Sequence, residues 1–448
     1  MTKSMTLLGH KGCINTCSFN PYGNFELTGC DDGSVWLWDI GNHQSKPKIR
    51  LIPHKTNVFT TNFLSETRFI SGGNDASVQV IELADGRAVS TKYSNHHTRK
   101  VLCSFVVDEH TFATCSQKTV RLFDTRIQYT GQSQHNLDFL TEADFDYDGQ
   151  QKLYDDLTNN HIRPQSDGGG CYLPSTTPTD PNSILLDFTN NPNMEFFTMD
   201  IHPIDRKRFI ASCGDGTVRM FDLRMIRQNK PQQIGFEFNK HYGRIMSVTG
   251  ATFNETGDRI AATIIGGNIH VLDPSLGIDV SHIQPPRPRS FQINLADFIN
   301  QETGTFDFAL LNRFANQQTV VEEEEEEERH PVLGEVIELY GGHQSQSTIK
   351  TVNWMGKFVV TGSDNGSICF YDPDTGDPVN IVKGHKGNVN VVTVHKEKML
   401  LATSGIDDFA VLWEPMKISK VQMNEIKERN EAALQEPEEP ENLMCNVM

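Results

Sequence analysis

Positive charge is scarce in this chain: 40 Lys and Arg stand against 58 Asp and Glu, for a net charge of −18. That balance argues against nucleic acid or an anionic membrane surface as a direct partner. No apolar run approaches the roughly 20 residues that a membrane-spanning helix needs, and no secretory leader precedes Met5. The nine Cys include no Cys-x-x-Cys pair, which reads as free thiols in a reducing compartment, cytoplasmic, nuclear or both, of a soluble protein. Cys13 and Cys17 have no His partner nearby and read as buried thiols. Also missing are a Gly-x-Ser-x-Gly elbow, a phosphate-cradling Gly-rich loop ending in Lys-Ser or Lys-Thr, and a His-Glu-x-x-His helix. An enzyme reading therefore has no residues to stand on, and no cofactor or metal is expected.

What the chain does have is a repeat. From Leu7 to Asp39 it reads Gly9-His10, an apolar Ile14 four residues after the His, a turn at Asn20-Pro21-Tyr22-Gly23, a second turn at Asp31-Asp32-Gly33, and Trp38-Asp39. Short alternating strands between such turns are too small to bury a core alone, so the unit is stable only when stacked into a ring. This is the WD40 pattern. Further copies start at His54, at His97 (ending Phe123-Asp124-Thr125-Arg126), at Phe196 (ending Phe221-Asp222-Leu223-Arg224) and at His241. The last two start at Gly342-His343 and at Gly384-His385, the latter ending in Trp413-Glu414. Seven copies predict an all-β, seven-bladed propeller over 1–415. The seventh copy stops after its third strand, while Met5 to Leu8 form a spare strand at the other terminus; pairing the two would close the ring and remove its open edges.

Two stretches break the repeat. Residues 127–193 are polar and rich in Gly and Pro, and 274–340 contain the acidic run Glu322 to Glu328; both read as inter-blade insertions without strand periodicity. Residues 416–448 form a charged tail, in part a helix packed loosely or not at all.

His10, Thr28, Asp32 and Trp38, and again His385, Thr403, Asp407 and Trp413, occupy the positions where WD40 units build a buried hydrogen-bond chain. A His, an Asp and a hydroxyl can also form a hydrolase triad. A set that recurs at the repeat period is explained by a satisfied structural network instead. In the first insertion Asp144, Asp146, Asp148, Gly149 and Asp155 follow a calcium-loop spacing, but Gln151 and the Asp at the twelfth position depart from it, favouring a plain acidic loop. The chain ends Cys445-Asn446-Val447-Met448, a box for prenylation of Cys445. Glu438, Glu439 and Glu441 lie where a polybasic helper belongs, so any membrane association would be weak.

The repeats of blades 3 and 4 end in Phe-Asp-x-Arg. Recurrence at equivalent positions places the guanidinium forks of Arg126 and Arg224 on one rim, next to Asp124 and Asp222, where they would bind a partner bidentately. Each Arg otherwise pairs with a nearby carboxylate in a contact of small worth.

At these residues, and in GCDDGSVWLWD, RKRFIASCGDGTVRMFDLR and KFVVTGSDNGSICFYD, the chain resembles the WD40 substrate receptors of cullin-4 RING ubiquitin ligases, specifically the subgroup of cullin-4-associated factors that contains member eight. The resemblance spans the seven blades and neither insertion. It implies a non-catalytic receptor whose Asp124, Arg126, Asp222 and Arg224 contact the ligase's adaptor while other surfaces hold an unidentified target protein. Many such receptors add an extended N-terminal segment to that contact; here the first repeat starts close to Met5, leaving the rim to carry it. The alternative is a scaffold for basic proteins that uses Glu322 to Glu328 and has no ligase link.

Overall fold

The computed structural model describes residues 1–84, 86–141, 183–191, 194–226, 234–243, 246–280, 332, 335–339, 341–346, 348–416 and 420–435. Seven antiparallel sheets follow one another around a ring. In each blade three consecutive strands run outward from the centre and a fourth lies at the periphery. In blade 1 these are Ile14–Phe19, Phe25–Cys30, Val35–Asp39 and Pro47–Leu51. In blade 7 the fourth strand is Thr2–Leu8, paired antiparallel with Phe409–Glu414, so the chain's first strand closes its last blade.

No blade owns a core. The seven clusters of buried apolar side chains each span neighbouring blades. One of them joins Met5, Leu7 and Leu412 of blade 7 to Ile14, Trp36 and Trp38 of blade 1. Two local devices bring the sheets close enough for this. In blades 1–5 and 7 the first strand is bulged after its opening pair, as between Ile14 and Thr16, which sharpens its twist. Second-strand glycines also admit the next blade's first valine: a Cβ on Gly29 would lie 2.7 Å from Val58 Cγ1, and one on Gly72 would lie 2.6 Å from Val101 Cγ1.

Three expectations need correction. The stretch 127–193 is not free of strands: Gln132–Leu137 pairs with the outer strand of blade 2, Phe139–Thr141 with that of blade 1, and Ile184–Asp187 is itself the outer strand of blade 3. In 274–340, Ile278–Asp279 pairs with the outer strand of blade 4 and Glu335–Leu339 is the outer strand of blade 5. The extra chain thus enters within blades 3 and 5, ahead of their last strands, because the repeat as read in sequence ends at a blade's third strand. The tail correction concerns the helix Lys420–Gln435, which docks on the outer strand of blade 6. There Asn430 Oδ1 accepts the Ile381 N–H at 3.0 Å, Arg429 donates to Asn380, and Ala433 packs on the cluster between blades 5 and 6. Asn430 thereby satisfies a backbone donor that an edge strand would otherwise expose.

The acidic run Glu322–Glu328, the calcium-like loop 144–155 and Cys445 lie outside the described residues. Among the described residues no helix is long and apolar enough to cross a membrane.

The glycine–valine contacts set a test of inter-blade packing. Gly72→Ala should destabilise by roughly 1–3 kcal/mol through overpacking against Val101 and Thr60. Val101→Ala in the same chain should recover part of the loss in a thermal melt; strictly additive losses would contradict the contact.

Candidate functional site

Two sets of residues were candidates for chemistry, and the fold sends them to different places. The tetrads lie inside the ring. In blade 7, His385 contacts Asp407 through Nδ1 at 3.0 Å and Thr403 through Nε2 at 2.9 Å, and Trp413 donates to Thr403 at 2.9 Å. In blade 1, His10 Nε2 lies 2.7 Å from Thr28 Oγ1, which also accepts from Trp38 at 2.9 Å. Asp32 accepts the Ser34 N–H, and its carboxylate stands within 4.8 Å of the His10 ring nitrogen.

Blade 2, whose repeat is degenerate, has the same chain without the tryptophan: His54 joins Asp75 at 3.0 Å and Ser71 at 2.9 Å. Blade 3 substitutes Thr119 for the missing Asp, with His97 bonded to Thr114 at 2.8 Å and facing Thr119 at 3.3 Å. His10 and His385 are 3% exposed, so the imidazoles are walled off from any substrate. Burial holds His10 and His343 down at about 4 and His97 well below its ordinary value. Burial also pushes the Asp75 and Asp407 carboxyls up, but hydrogen bonding and charge from their histidines reverse this and leave both depressed.

The second set lies on the surface. The boxes of blades 3 and 4 close two nearly identical third strands, Thr119–Asp124 and Thr217–Asp222. Phe123 and Phe221 are buried and stack on the second-strand residues Phe112 and Phe209, at 5.3 and 5.2 Å between centroids. With the Phe anchored, the chain turns at the Asp, whose carboxylate accepts the backbone N–H two residues on, from Arg126 at 3.0 Å and from Arg224 at 2.8 Å. The same carboxylate takes the side-on face of the guanidinium. Arg126 donates Nε and Nη2 to Asp124 at 2.8 and 2.6 Å, and Arg224 donates Nε and Nη2 to Asp222. These hydrogen bonds, foremost among the causes, bring Asp124 down to about 2 and depress Asp222.

The pairing with a nearby carboxylate that the sequence left open is present, and one edge of each fork is held by its own aspartate. The side chains nevertheless remain 62% and 60% exposed, and Nη1 of each has no partner among the described residues. The aspartates act as props that hold two cations upright at defined positions.

Both props belong to one rim. Thr125 N–H donates to His110 O, and Leu223 N–H to Lys207 O, so each box abuts the turn between the first two strands of its own blade. Arg206 in the blade 4 turn then bridges to blade 3, donating to Val107 O at 2.8 Å and Val106 O at 2.6 Å. Ile127, next to Arg126 in the chain, and Ile204, in the blade 4 turn, are 53% and 70% exposed. No sequence pattern marked Arg206 or Ile204, because neither occupies a repeat position.

A further departure lies in blades 4 and 5. Where blades 1, 2, 3 and 7 place a hydroxyl on the second strand, these carry Ala211 and Ala262, paired across the ladder with Arg219 and His270. Arg219 forms a buried ion pair with Asp215 at 2.6 Å. His241, the histidine that opens the fifth repeat, turns instead toward His270 and Glu338, with Nε2 3.6 Å from the Glu338 carboxylate.

Burial of neutral histidines makes stability depend on acid. The unfolded chain takes up these protons near 6.5, and folded His10 and His343 do so only at about 4. Their contribution is present above pH 6.5 and is lost as pH falls toward 4, on the order of 1–3 kcal/mol each. Melting temperature should fall steadily between pH 6.5 and 4.5. A flat profile there would contradict neutral buried imidazoles.

Comparison with known proteins agrees with this architecture. The WD domain, G-beta repeat model matches residues 1–39, 334–372 and 376–414. The chain is similar to WD and tetratricopeptide repeats protein 1 of Homo sapiens, 35% identical over 100 residues, covering 21% of this chain and 15% of that protein. It is similar to DDB1- and CUL4-associated factor 6 of Homo sapiens, 34% identical over 104 residues, covering 22% and 12%. WD repeat protein iqw1 of Schizosaccharomyces pombe is 27% identical over 133 residues, covering 27% and 16%. The chain thus spans less than a fifth of the length of these relatives. Together with seven blades, four of four strands and three extended by a fifth, in a ring closed by the first strand, the matched repeats make this chain a seven-bladed WD40-repeat β-propeller.

Proposed function

We propose that this propeller is a non-catalytic substrate receptor that docks a cullin-4 ligase adaptor on the rim of blades 3 and 4 and presents a target protein elsewhere, in the cytoplasm, the nucleus or both. The observation that carries this reading is the pair of exposed, aspartate-propped arginines, Arg126 and Arg224, at equivalent positions of adjacent blades. A propped guanidinium has already lost much of its rotamer freedom, so docking orders it at less entropic cost. Its outward N–H groups suit carboxylates or carbonyls, and exposed Ile127 and Ile204 on the same rim offer apolar area for a partner to cover. WD40 propellers are in general non-catalytic interaction modules, and one relative, DDB1- and CUL4-associated factor 6, carries the ligase association in its name.

The test is a pull-down with purified adaptor. Arg126→Ala with Arg224→Ala should abolish binding, because each removes a charge-assisted contact desolvated on docking. Melting temperature should hardly change, because both side chains lie on the surface. Lys at both positions should rescue only partly, since a point charge lacks the planar fork. Full binding by the double variant, or none by the parent chain, would sink the receptor reading and leave a scaffold without a ligase link.

A further inference from the structure

The fifth blade holds a cluster that the propeller does not need. His241 lies on the helical turn Asn239–Tyr242 that leads into the blade, His270 on its third strand Ile269–Leu272, and Glu338 on its outer strand Glu335–Leu339. His270 and Glu338 are direct antiparallel partners, so their side chains share one face of the sheet. Nε2 of His241 is 3.6 Å from one Glu338 oxygen, and Nε2 of His270 is 4.0 Å from the other. One ligand atom from each of the three falls within 4.8 Å of the others. The side chains are 6%, 0% and 8% exposed.

We propose that His241, His270 and Glu338 bind a divalent transition-metal ion of the zinc class. Two imidazoles and one carboxylate form a donor set suited to such an ion, and the observed separations need contract only slightly to surround a centre about 2.0–2.2 Å from each ligand. The Tyr242 hydroxyl, 2.8 Å from His270 Nε2, stands beside the three as a fourth donor atom. Outer contacts are in place as well: Asn268 Nδ2 donates to Glu338 Oε1 at 2.7 Å, and the Asn268 N–H donates to the Tyr242 hydroxyl at 3.0 Å.

The origin of the cluster is visible in the repeat. In blades 1, 2, 3 and 7 the histidine at this point bonds a second-strand hydroxyl. Blade 5 has Ala262 there, which releases His241 from the tetrad role, and His270 stands opposite that alanine. An ion at this point would tie the turn entering blade 5 to its third and outer strands.

A second group, His10, Cys30 and Asp32, is equally close-set but already committed. His10 is bound to Thr28 and stacked on Trp36 at 3.9 Å, and burial holds the Cys30 thiol protonated.

The experiment uses the full-length chain, freed of purification tags and stripped with chelator, then titrated with zinc sulfate and dialysed. One zinc per chain should remain by elemental analysis and melting temperature should rise. His241→Gln and Glu338→Gln, with unchanged circular dichroism, should each weaken zinc affinity at least 10-fold. Because His241 lies on a turn outside the sheets, the first variant keeps the test valid if the second unfolds. Cobalt in place of zinc should give a visible ligand-field spectrum without a thiolate charge-transfer band. Failure to retain stoichiometric zinc, equal retention by His241→Gln, or a thiolate band would each overturn the assignment.

Discussion

Everything in this molecule depends on closure of the ring. Each cluster of buried apolar side chains is shared between neighbouring blades, so a blade without its neighbour would leave half of two cores in water. Closure rests on the pairing of Thr2–Leu8 with Phe409–Glu414, which joins the two ends of the propeller and carries Met5 and Leu7 into the cluster beneath Trp36 and Trp38. The tetrads act within this frame. They fasten the incoming turn of a blade to its second strand with bonds shielded from water, and the recurrence of the histidine, hydroxyl and aspartate serves the scaffold rather than chemistry.

A closed, rigid ring fixes the positions of its rim, and this is how fold becomes function. Phe123 and Phe221 are locked in the core, each starts an Asp-centred turn, and each turn holds an arginine upright. Because successive blades repeat the same geometry, the two cations face the same side of the molecule. Arg206 bonds the turns of blades 3 and 4 together, so the rim that carries them is one surface rather than two independent loops.

Much of this was legible in the sequence because the repeat encodes it. His10 and His385, the Phe-Asp-x-Arg boxes and the spare strand at Met5 all occupy positions fixed by the period. What escaped has physical causes. Ile184–Asp187 and Ile278–Asp279 are too short to show alternation, and they become strands only because an exposed neighbouring edge is there to pair with them. The docking of Asn430 depends on an unsatisfied N–H at Ile381, which no local pattern reveals. That Arg126 could pair with a nearby carboxylate was readable, but the bidentate grip of Asp124 on it follows from the turn geometry. His241 shows the limit of periodic reading: it stands at the repeat position, but Ala262 has replaced the hydroxyl it would bind, and the side chain goes elsewhere.

On the proposed reading, the rim of blades 3 and 4 is where the ligase adaptor docks. Amide hydrogen exchange of the full chain, alone and saturated with purified adaptor, tests it most directly. Protection should concentrate at residues 106–111, 123–127, 203–208 and 221–226, with the opposite rim unchanged. Protection confined to that opposite rim, or no protection at saturating adaptor, would contradict it.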